Sequence, residues 1–193
     1  MNTYNWEQYY QQTKGKPPRP SLVRAIELVS DKHEALDLGS GALNDTRYLI
    51  SQGFEHITAV DKNPISEDVM KEFSTDKVSY KICLFEDFDF PEDTYNLINA
   101  QYSLPFASKE KFRSVIQSIV TALKPGGVFV GQFFGNHDEW NTEGRDMTFQ
   151  TKEEAEMLLK DFKIQEFTEE EYDGGTAAGN TKHWHIFHFV AVK

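Results

Sequence analysis

The most constraining feature of this sequence is the alternation of short apolar strands and amphipathic helices over residues 34–134. The spacing predicts strands at Glu34–Leu38, His56–Asp61, Val78–Leu84, Tyr95–Ala100 and Val128–Phe134. It predicts helices between them at Asn44–Gln52, Ser66–Ser74 and Lys109–Leu123. Strands that are joined through helices run parallel, and a parallel sheet is covered on both faces. The pattern therefore predicts an α/β sandwich of three layers.

The segment before this alternation differs from it. Thr13–Pro20 contains three prolines, which exclude a regular helix there. Tyr4–Gln12 is predicted as a short aromatic helix, and Ser21–Val29 as a helix that has Ser21 as its N-cap. These residues therefore form a proline-rich connection that leads into the sheet.

The last quarter of the chain also departs from the alternation. A helix is predicted at Lys152–Lys160, followed by strands at Lys163–Thr168 and His183–Val192. No helix separates these two strands, which predicts an antiparallel pair at one edge of the sheet. Asp173–Asn180, which joins them, is predicted to be a mobile loop.

Composition restricts the classes of partner. The 193 residues include 20 basic and 31 acidic side chains, a net charge of −11, which argues against nucleic-acid binding because phosphates must be neutralised by Lys and Arg. The single cysteine, Cys83, excludes an internal disulfide and a cysteine-built zinc site. The N-terminus lacks the pattern of a secretory signal, and no apolar run approaches the about 20 residues that span a bilayer. We therefore expect a cytoplasmic protein with no membrane partner.

The most informative motif is Leu36–Thr46, with the sequence LDLGSGALNDT. Gly39 and Gly41 follow the first strand, where glycines allow a tight turn and close approach of a ligand to the backbone. Asp61 ends the second strand, 20 residues after Gly41, where a carboxylate can accept hydrogen bonds from both ribose hydroxyls. The pattern indicates a ribonucleoside ligand. The alternatives are an ordinary strand-to-helix turn, and an Asp61 that caps a helix beginning near Pro64.

The residues after the two glycines indicate which nucleoside is bound. A dinucleotide site favours a third glycine in the pattern G-x-G-x-x-G, but Leu43 and Asn44 stand here. Asp45 would place a carboxylate near the turn, which is unfavourable beside a pyrophosphate and favourable beside an ammonium or sulfonium. The motif thus favours S-adenosylmethionine over NAD. A nicotinamide-dependent oxidoreductase and a non-catalytic nucleoside-binding module remain the alternatives.

Four segments together resemble the class I S-adenosylmethionine-dependent methyltransferases, most closely their small tellurite-resistance-type branch. They are residues 36–54, 57–64, 88–106 and 123–130. The resemblance runs from about Trp6 to the end of the chain. It implies a single Rossmann-like domain over residues 1–193, with a lid or extension at 1–20 and a core at 21–193. It also implies seven strands in the order 3-2-1-4-5-7-6, the last strand antiparallel. Leu43, Asn44 and Leu84 depart from the family's pattern.

The resemblance assigns a set of cofactor-binding positions. They are Asp37, Gly39, Ser40, Gly41, Asp45, Asp61, Lys62, Phe85, Glu86, Asp87, Asn99 and Gln101. Within this set, Asp45 is expected near the amino group of the cofactor, Asp61 at its ribose, and Glu86 or Asp87 beside its adenine. The other residues of the first and fourth motifs are expected to face the methionine and its methyl group.

The acceptor is less well specified. The expected substrate residues are Tyr10, Arg19, Tyr102, His137 and Trp140. Tyr10 and Arg19 would belong to a lid, and the others follow the fourth and fifth strands, although plain packing is the alternative. Methyl transfer from a sulfonium is a direct displacement that needs a base only for a protonated acceptor, and no catalytic residue is assigned. Without a basic stripe or an Asn/Asp-Pro-Pro-Tyr motif, a small molecule is the expected acceptor.

Histidines near the C-terminus raise the question of a metal. His183 and His185 share one face of the last predicted strand, whereas His188 lies on the other, because strand side chains alternate. A third ligand is not visible from the spacing. We therefore predict no metal site.

Overall fold

The computed structural model describes residues 10, 12–65, 67–74, 76–177 and 179–193. The strands are β1 (Glu34–Leu38), β2 (His56–Asp61), β3 (Val78–Ile82), β4 (Tyr95–Ala100), β5 (Leu123–Gly135), β6 (Phe149–Gln150), β7 (Lys163–Gly175) and β8 (Thr181–Val192). The helices are α1 (Pro20–Glu27), α2 (Asn44–Ser51), α3 (Glu67–Met70), α4 (Phe112–Ala122) and α5 (Lys152–Leu158), with 3-10 turns at Phe85–Asp87 and Leu104–Phe106. Across these described ranges, no helix is both long and apolar enough to cross a membrane.

The strands form one sheet in the order β3-β2-β1-β4-β5-β8-β7. β1 to β5 are parallel, and β8 is antiparallel to both of its neighbours. With β7 and β8 counted as the sixth and seventh predicted strands, this order confirms the expected 3-2-1-4-5-7-6 sheet. The structure adds β6, which pairs with the end of β5 through Phe134 and Phe149. The sequence did not predict β6, since two residues show no periodicity.

Apolar cores lie on both faces of the sheet. Alternate residues of β5 point to opposite sides, so Phe129 packs in the core that includes Ile119 of α4, and Val130 in the core that includes Leu22 of α1. All four side chains are fully buried. Cores on both faces explain why the central strands read as continuous apolar runs.

Two helices near the cleft differ from their predicted bounds. α1 begins at Pro20, with Arg19 as N-cap and no side-chain cap, so the prediction of Ser21 as N-cap is wrong. Proline suits the first helical position, where its missing N–H needs no partner. α3 is a single turn at Glu67–Met70 rather than a helix over Ser66–Ser74. The predicted helix at Tyr4–Gln12 falls largely outside the described residues.

The Pro125-Gly126-Gly127 segment lies within β5 rather than before it. Tyr95 of β4 pairs with Leu123, and Leu97 pairs with Val128, so residues 124–127 form a bulge between the two pairs. Gly126 has φ +79°, a conformation that glycine adopts without strain. The chain therefore enters the strand at Leu123, directly after α4 ends at Ala122.

β7 and β8 form a longer ribbon than the sequence predicts. Asp173 pairs with His183 and Gly175 with Thr181, so residues 173–175 of the predicted loop at Asp173–Asn180 belong to β7 instead. Long-range pairing with β8 orders the glycine-rich segment, which local propensity alone would leave as a loop. The ribbon extends past the carboxyl end of β5 and carries Tyr172 and Trp184 toward the cleft.

Candidate functional site

A cleft opens at the carboxyl ends of β1, β2 and β4, where the order of the strands reverses. Ligands of open α/β sheets bind at this kind of switch point. The cleft is lined by Gly39, Gly41, Asp61, Lys62, Asn63, Leu84, Phe85, Glu86, Gln101, Tyr102, Ser103 and Phe106. Seven of the twelve predicted cofactor residues lie here, and four of the others (Asp37, Ser40, Asp45 and Asn99) adjoin it.

The turn after β1 presents bare backbone to the cleft. Gly39 has φ +81°, and a Cβ at this position would lie 2.3 Å from Cβ of Ser103 and 3.3 Å from Cζ of Phe85. Ser103 is itself fixed, because its hydroxyl donates to the carbonyl of Leu38 at 2.6 Å. Only glycine therefore fits at position 39.

Asp61 lies at the opposite side of the turn and is 8% exposed. Its carboxylate accepts hydrogen bonds from the backbone N–H of Gly41 at 2.9 Å and from the Tyr10 hydroxyl at 3.1 Å. It also accepts from the backbone N–H of Asn63 at 3.0 Å. Because α3 begins only at Glu67, Asp61 is not its N-cap, and that alternative is wrong.

Two carboxylates meet beneath the turn. The side-chain amide of Asn99 donates to Asp37 at 2.9 Å and to Asp45 at 3.2 Å, and the Thr46 hydroxyl donates to Asp37 at 2.6 Å. Burial raises the pKa of both carboxyl groups, and repulsion from Asp45 raises the pKa of Asp37 further. The positive charge of Arg19 acts to lower the pKa of Asp45. Asp37, Asp45 and Asn99, here called the acidic cluster, form a polar surface that favours a cation.

In the part of the chain that the structure describes, buried polar atoms without a hydrogen-bond partner include Oδ1 of Asn99, within the acidic cluster, and Nε2 of Gln101, beside it. Gln101 is held in place through its Oε1, which accepts from the Ser21 hydroxyl at 3.2 Å and from the Gln132 amide at 2.5 Å. A buried polar group without a partner costs about 1–3 kcal/mol. One unpaired acceptor and one unpaired donor match the amino and carboxylate groups of an amino acid.

Of the residues after β3 that are predicted to lie beside the adenine, some line the cleft and one does not. Phe85 and Glu86 line the cleft, and Glu86 accepts the backbone N–H of Ser108 at 2.8 Å. Asp87 is exposed and is absent from the cleft, because the 3-10 turn directs consecutive side chains differently. Of the two acids, the structure thus places only Glu86 at the cleft, next to Leu84.

A second pocket adjoins the cleft and shares Tyr102 and Phe106 with it. It is lined by Thr13, Lys16, Arg19, Tyr102, Phe106, Phe134, Trp140, Tyr172, Gly175, Thr176, Ala177 and Trp184, and is called the aromatic pocket below. Three predicted substrate residues, Arg19, Tyr102 and Trp140, line it. Tyr10 contacts Asp61 in the cleft instead.

His137, which the sequence predicts as a substrate residue, does not line the aromatic pocket. Its ring stacks on His185 at 4.8 Å, its Nδ1 lies 3.4 Å from Glu171, and its backbone N–H donates to Nδ1 of His185 at 3.1 Å. The turn after β5 directs His137 toward the β7–β8 ribbon and Trp140 into the pocket. His137, Glu171 and His185 have their potential ligand atoms close enough together to hold a metal ion. However, Nδ1 of His185 accepts the His137 N–H and its Nε2 lies 3.1 Å from Glu169, so both of its nitrogens have partners.

Sequence reasoning missed three of the aromatic side chains that line the aromatic pocket. Phe134 is the next-to-last residue of β5, while Tyr172 and Trp184 are direct partners across the β7–β8 ribbon. Trp184 lies between His183 and His185 in the strand, so the sequence predicts that its side chain is on the opposite face of the sheet from theirs. The sequence does not predict its position beside the cleft, because the ribbon was predicted to end near Thr168 and His183.

The comparisons with known proteins agree with this geometry. The family model described as a methyltransferase domain matches residues 35–127. The chain is similar in structure to TehB from Haemophilus influenzae, with a TM-score of 0.76 and 20% identity over 97% of this chain and 67% of that one. It is also similar to the 1,6-didemethyltoxoflavin-N1-methyltransferase of Burkholderia thailandensis, solved with 1,6-didemethyltoxoflavin and S-adenosylhomocysteine. That TM-score is 0.65, with 20% identity over 90% of this chain and 78% of that one.

One protein that is similar in sequence is named for a different activity. The rat protein named arginine-hydroxylase NDUFAF5, mitochondrial, is 32% identical over 114 residues, which are 58% of this chain and 32% of that protein. This chain therefore matches about a third of the relative's length. The matched family model, the strand order and the position of the cleft agree with one another. Residues 35–127 thus match a methyltransferase domain, and the fold of the chain is similar to that of solved methyltransferases.

Proposed function

We propose that this protein binds S-adenosylmethionine in the cleft and transfers its methyl group to a small molecule held in the aromatic pocket. The observation that supports this most strongly is the placement of the acidic cluster and of Asp61 on two sides of the Gly39 turn, whose backbone is bare. The acidic cluster fits an ammonium group, Asp61 fits a sugar diol, and the turn leaves room for the chain that joins them. Bound S-adenosylmethionine supplies an activated methyl group on a sulfonium, which leaves as a neutral sulfide.

The residues present fit this cofactor. Oδ1 of Asn99 and the Asp45 carboxylate would accept from its amino group, and Nε2 of Gln101 would donate to its carboxylate. Asp61 would exchange its contact with Tyr10 for the ribose hydroxyls. Phe85 and Leu84 would pack on the adenine, with Glu86 and Lys62 at its polar edge. The protein's contribution to the reaction is then to align the acceptor with the methyl group and to exclude water.

The N-terminal segment fits the role of a lid. The Asn44 side chain donates to the carbonyl of Thr13 at 2.7 Å and accepts the backbone N–H of Gly15 at 2.9 Å. Thr13 and Arg19 line the aromatic pocket, and Tyr10 reaches Asp61. We infer that residues 10 and 12–20 close over cofactor and acceptor together, and that Asn44 holds them in the closed position.

Calorimetry separates this function from its alternatives. We expect S-adenosylhomocysteine to bind and NAD(H) not to bind, because the acidic cluster would repel a pyrophosphate. Tight binding of NAD(H) alone would favour the nicotinamide-dependent oxidoreductase. Binding of S-adenosylhomocysteine without transfer of labelled methyl to any member of a broad acceptor panel would favour a non-catalytic nucleoside-binding module.

Cofactor binding should depend on pH. Because the pKa values of Asp37 and Asp45 are raised, the acidic cluster without ligand still holds a proton at pH values above about 4, where an ordinary carboxyl group is ionised. A bound ammonium favours the ionised form, so binding releases that proton. The affinity for S-adenosylhomocysteine should therefore rise with pH until the cluster is ionised without ligand. Calorimetry in buffers of different ionisation enthalpy measures the released proton directly.

A matched pair of variants checks the source of this proton. Asp45→Asn removes one carboxyl group of the cluster and should flatten the pH dependence. Asp89→Asn, at an exposed acid outside the cleft, should leave it unchanged. An equal pH dependence in Asp45→Asn would show that Asp45 does not carry the released proton.

The aromatic pocket should be needed for the acceptor and not for the cofactor. Trp140→Ala removes one wall of the pocket, so methyl transfer should fall by about 10-fold or more through loss of acceptor binding. The affinity for S-adenosylhomocysteine should stay within about 2-fold of the original value, since Trp140 does not line the cleft. Transfer assays at several acceptor concentrations show whether the slower transfer results from a higher KM for the acceptor. Unchanged transfer with an intact fold would remove the pocket from the reaction, and a protein surface would then be the acceptor to test.

A further inference from the structure

We propose that the aromatic pocket selects a planar aromatic acceptor that carries a negative charge at or beside the atom to be methylated. This inference rests on the proposed methyl transfer and names the chemical class of its acceptor. It follows from the shape of the pocket, the sign of the charges that line it, and the residue types that its lining lacks.

The walls of the pocket fit a flat apolar group. Trp140 and Trp184 lie 5.5 Å apart between ring centroids, and Phe134 lies 5.6 Å from Trp184. Tyr102 closes the side toward the cleft, 6.2 Å from Trp184. Rings at these separations and angles offer both faces and edges to a further ring. An aliphatic or strongly hydrated acceptor would leave most of this surface without a partner.

The charged residues of the lining are both cations. Among the described lining residues, Lys16 and Arg19 carry charge and none is an acid, although the whole chain has a net charge of −11. The Arg19 guanidinium lies 4.6 Å from the centroid of Tyr102, at the boundary between the cleft and the pocket. Glu171 and Asp173 alternate with Tyr172 on β7 and turn to the other face, where they contact His183. The rim of the pocket thus favours an anion.

The chain supplies its own cation to the aromatic walls. Nζ of Lys182 lies 4.0 Å from the ring centroid of Trp184 and 4.2 Å from that of Trp140, and Lys182 is buried in an ion pair with Asp138. Sets of aromatic rings commonly recognise ammonium ligands. Here Lys182 already occupies that position, so the walls do not favour a cationic acceptor.

The lining also lacks a general base. Its described residues include no histidine or carboxylate, and burial raises the pKa of the Tyr172 hydroxyl. His188 lies beyond the Tyr102 ring, and its Nε2 is 3.3 Å from Glu170. An anionic acceptor needs no base. It forms a bond to the methyl carbon while the carbon–sulfur bond breaks and leaves its electron pair on sulfur, so the acceptor becomes neutral without moving a proton.

Three probes of nearly equal size test this inference. 2-Naphthoate is an anion, 2-naphthamide is neutral, and 2-naphthylmethylamine is a cation at neutral pH. We titrate each into protein saturated with S-adenosylhomocysteine and measure binding by calorimetry and by quenching of tryptophan fluorescence. We expect the anion to bind about tenfold or more tightly than the amide, and the cation to bind most weakly.

Variants locate the source of this preference. Lys16→Gln and Arg19→Gln together should reduce the affinity for 2-naphthoate to that for the amide, while the affinity for the amide itself stays unchanged. Lys160→Gln, at an exposed lysine outside the pocket, is the control and should change neither affinity. The affinity for S-adenosylhomocysteine is measured first for each variant, because Arg19 also lies near Asp45.

The outcomes separate the two proposals. If S-adenosylhomocysteine binds and the amide binds as tightly as the naphthoate, the inference about charge is wrong and the proposed methyl transfer stands. A preference for the anion that survives the Lys16→Gln and Arg19→Gln changes overturns the inference in the same way. If S-adenosylhomocysteine does not bind the original protein, the proposed function itself fails.

Discussion

Replacing Gly39 with alanine should nearly abolish cofactor binding. The backbone at Gly39 has φ +81°, which costs an L-residue about 1–2 kcal/mol, and the new Cβ would lie 2.3 Å from Cβ of Ser103. Ser103 cannot retreat without losing its hydrogen bond to Leu38. Overpacking of this kind costs about 1–3 kcal/mol more. We expect a lower melting temperature and a loss of affinity for S-adenosylhomocysteine of about 100-fold or more in calorimetry.

Gly53→Ala is the matched control for this change. Gly53 also has a positive φ, +92°, but nothing lies within 4 Å of the position of its Cβ. It follows α2 and does not line the cleft. We expect a similar loss of stability from backbone strain and an unchanged affinity for S-adenosylhomocysteine. If Gly39→Ala and Gly53→Ala changed the affinity equally, close approach of the ligand at Gly39 would be refuted.

Asp61→Ala should weaken binding of S-adenosylhomocysteine by roughly 5- to 150-fold, which corresponds to about 1–3 kcal/mol. The variant loses the acceptor for the ribose hydroxyls. It also leaves the N–H of Gly41 without the partner that orients it into the turn. Isothermal calorimetry measures this loss, and circular dichroism checks that the variant is folded.

Two comparisons isolate the contribution of the ribose. Adenosine should lose affinity for Asp61→Ala in parallel with S-adenosylhomocysteine, whereas 2′,3′-dideoxyadenosine should bind both proteins about equally. Asp89→Ala, at an exposed carboxylate, controls for the change in net charge. An equal loss of affinity for adenosine and for its dideoxy analogue would assign Asp61 to the geometry of the turn rather than to the sugar.

Leu43 shows how the third dimension explains a departure from the family's pattern. It stands where the glycine-rich motif continues in relatives, and it adopts a left-handed conformation with φ 60° at the start of α2. Its side chain is fully buried in a core with Ala59 and Val78. Burial of a leucine contributes about 1.5–3 kcal/mol, which offsets the strain of the backbone. The sequence shows the departure, and only the packing shows how it is tolerated.

The sequence by itself determined the alternation of strands and helices, the glycine turn after β1 and the acid that ends β2, whereas the order of the strands was implied only by the family resemblance. These features follow from local periodicity and from the rule that the carboxyl ends of parallel strands share one edge of a sheet. Tertiary structure alone decided the rest. Asp87 and His137 lie away from the sites that the sequence predicts, while Tyr172 and Trp184 reach the aromatic pocket. Side chains so distant in sequence meet only because β7 and β8 pair beyond the end of β5, and no local pattern encodes the length of that pairing.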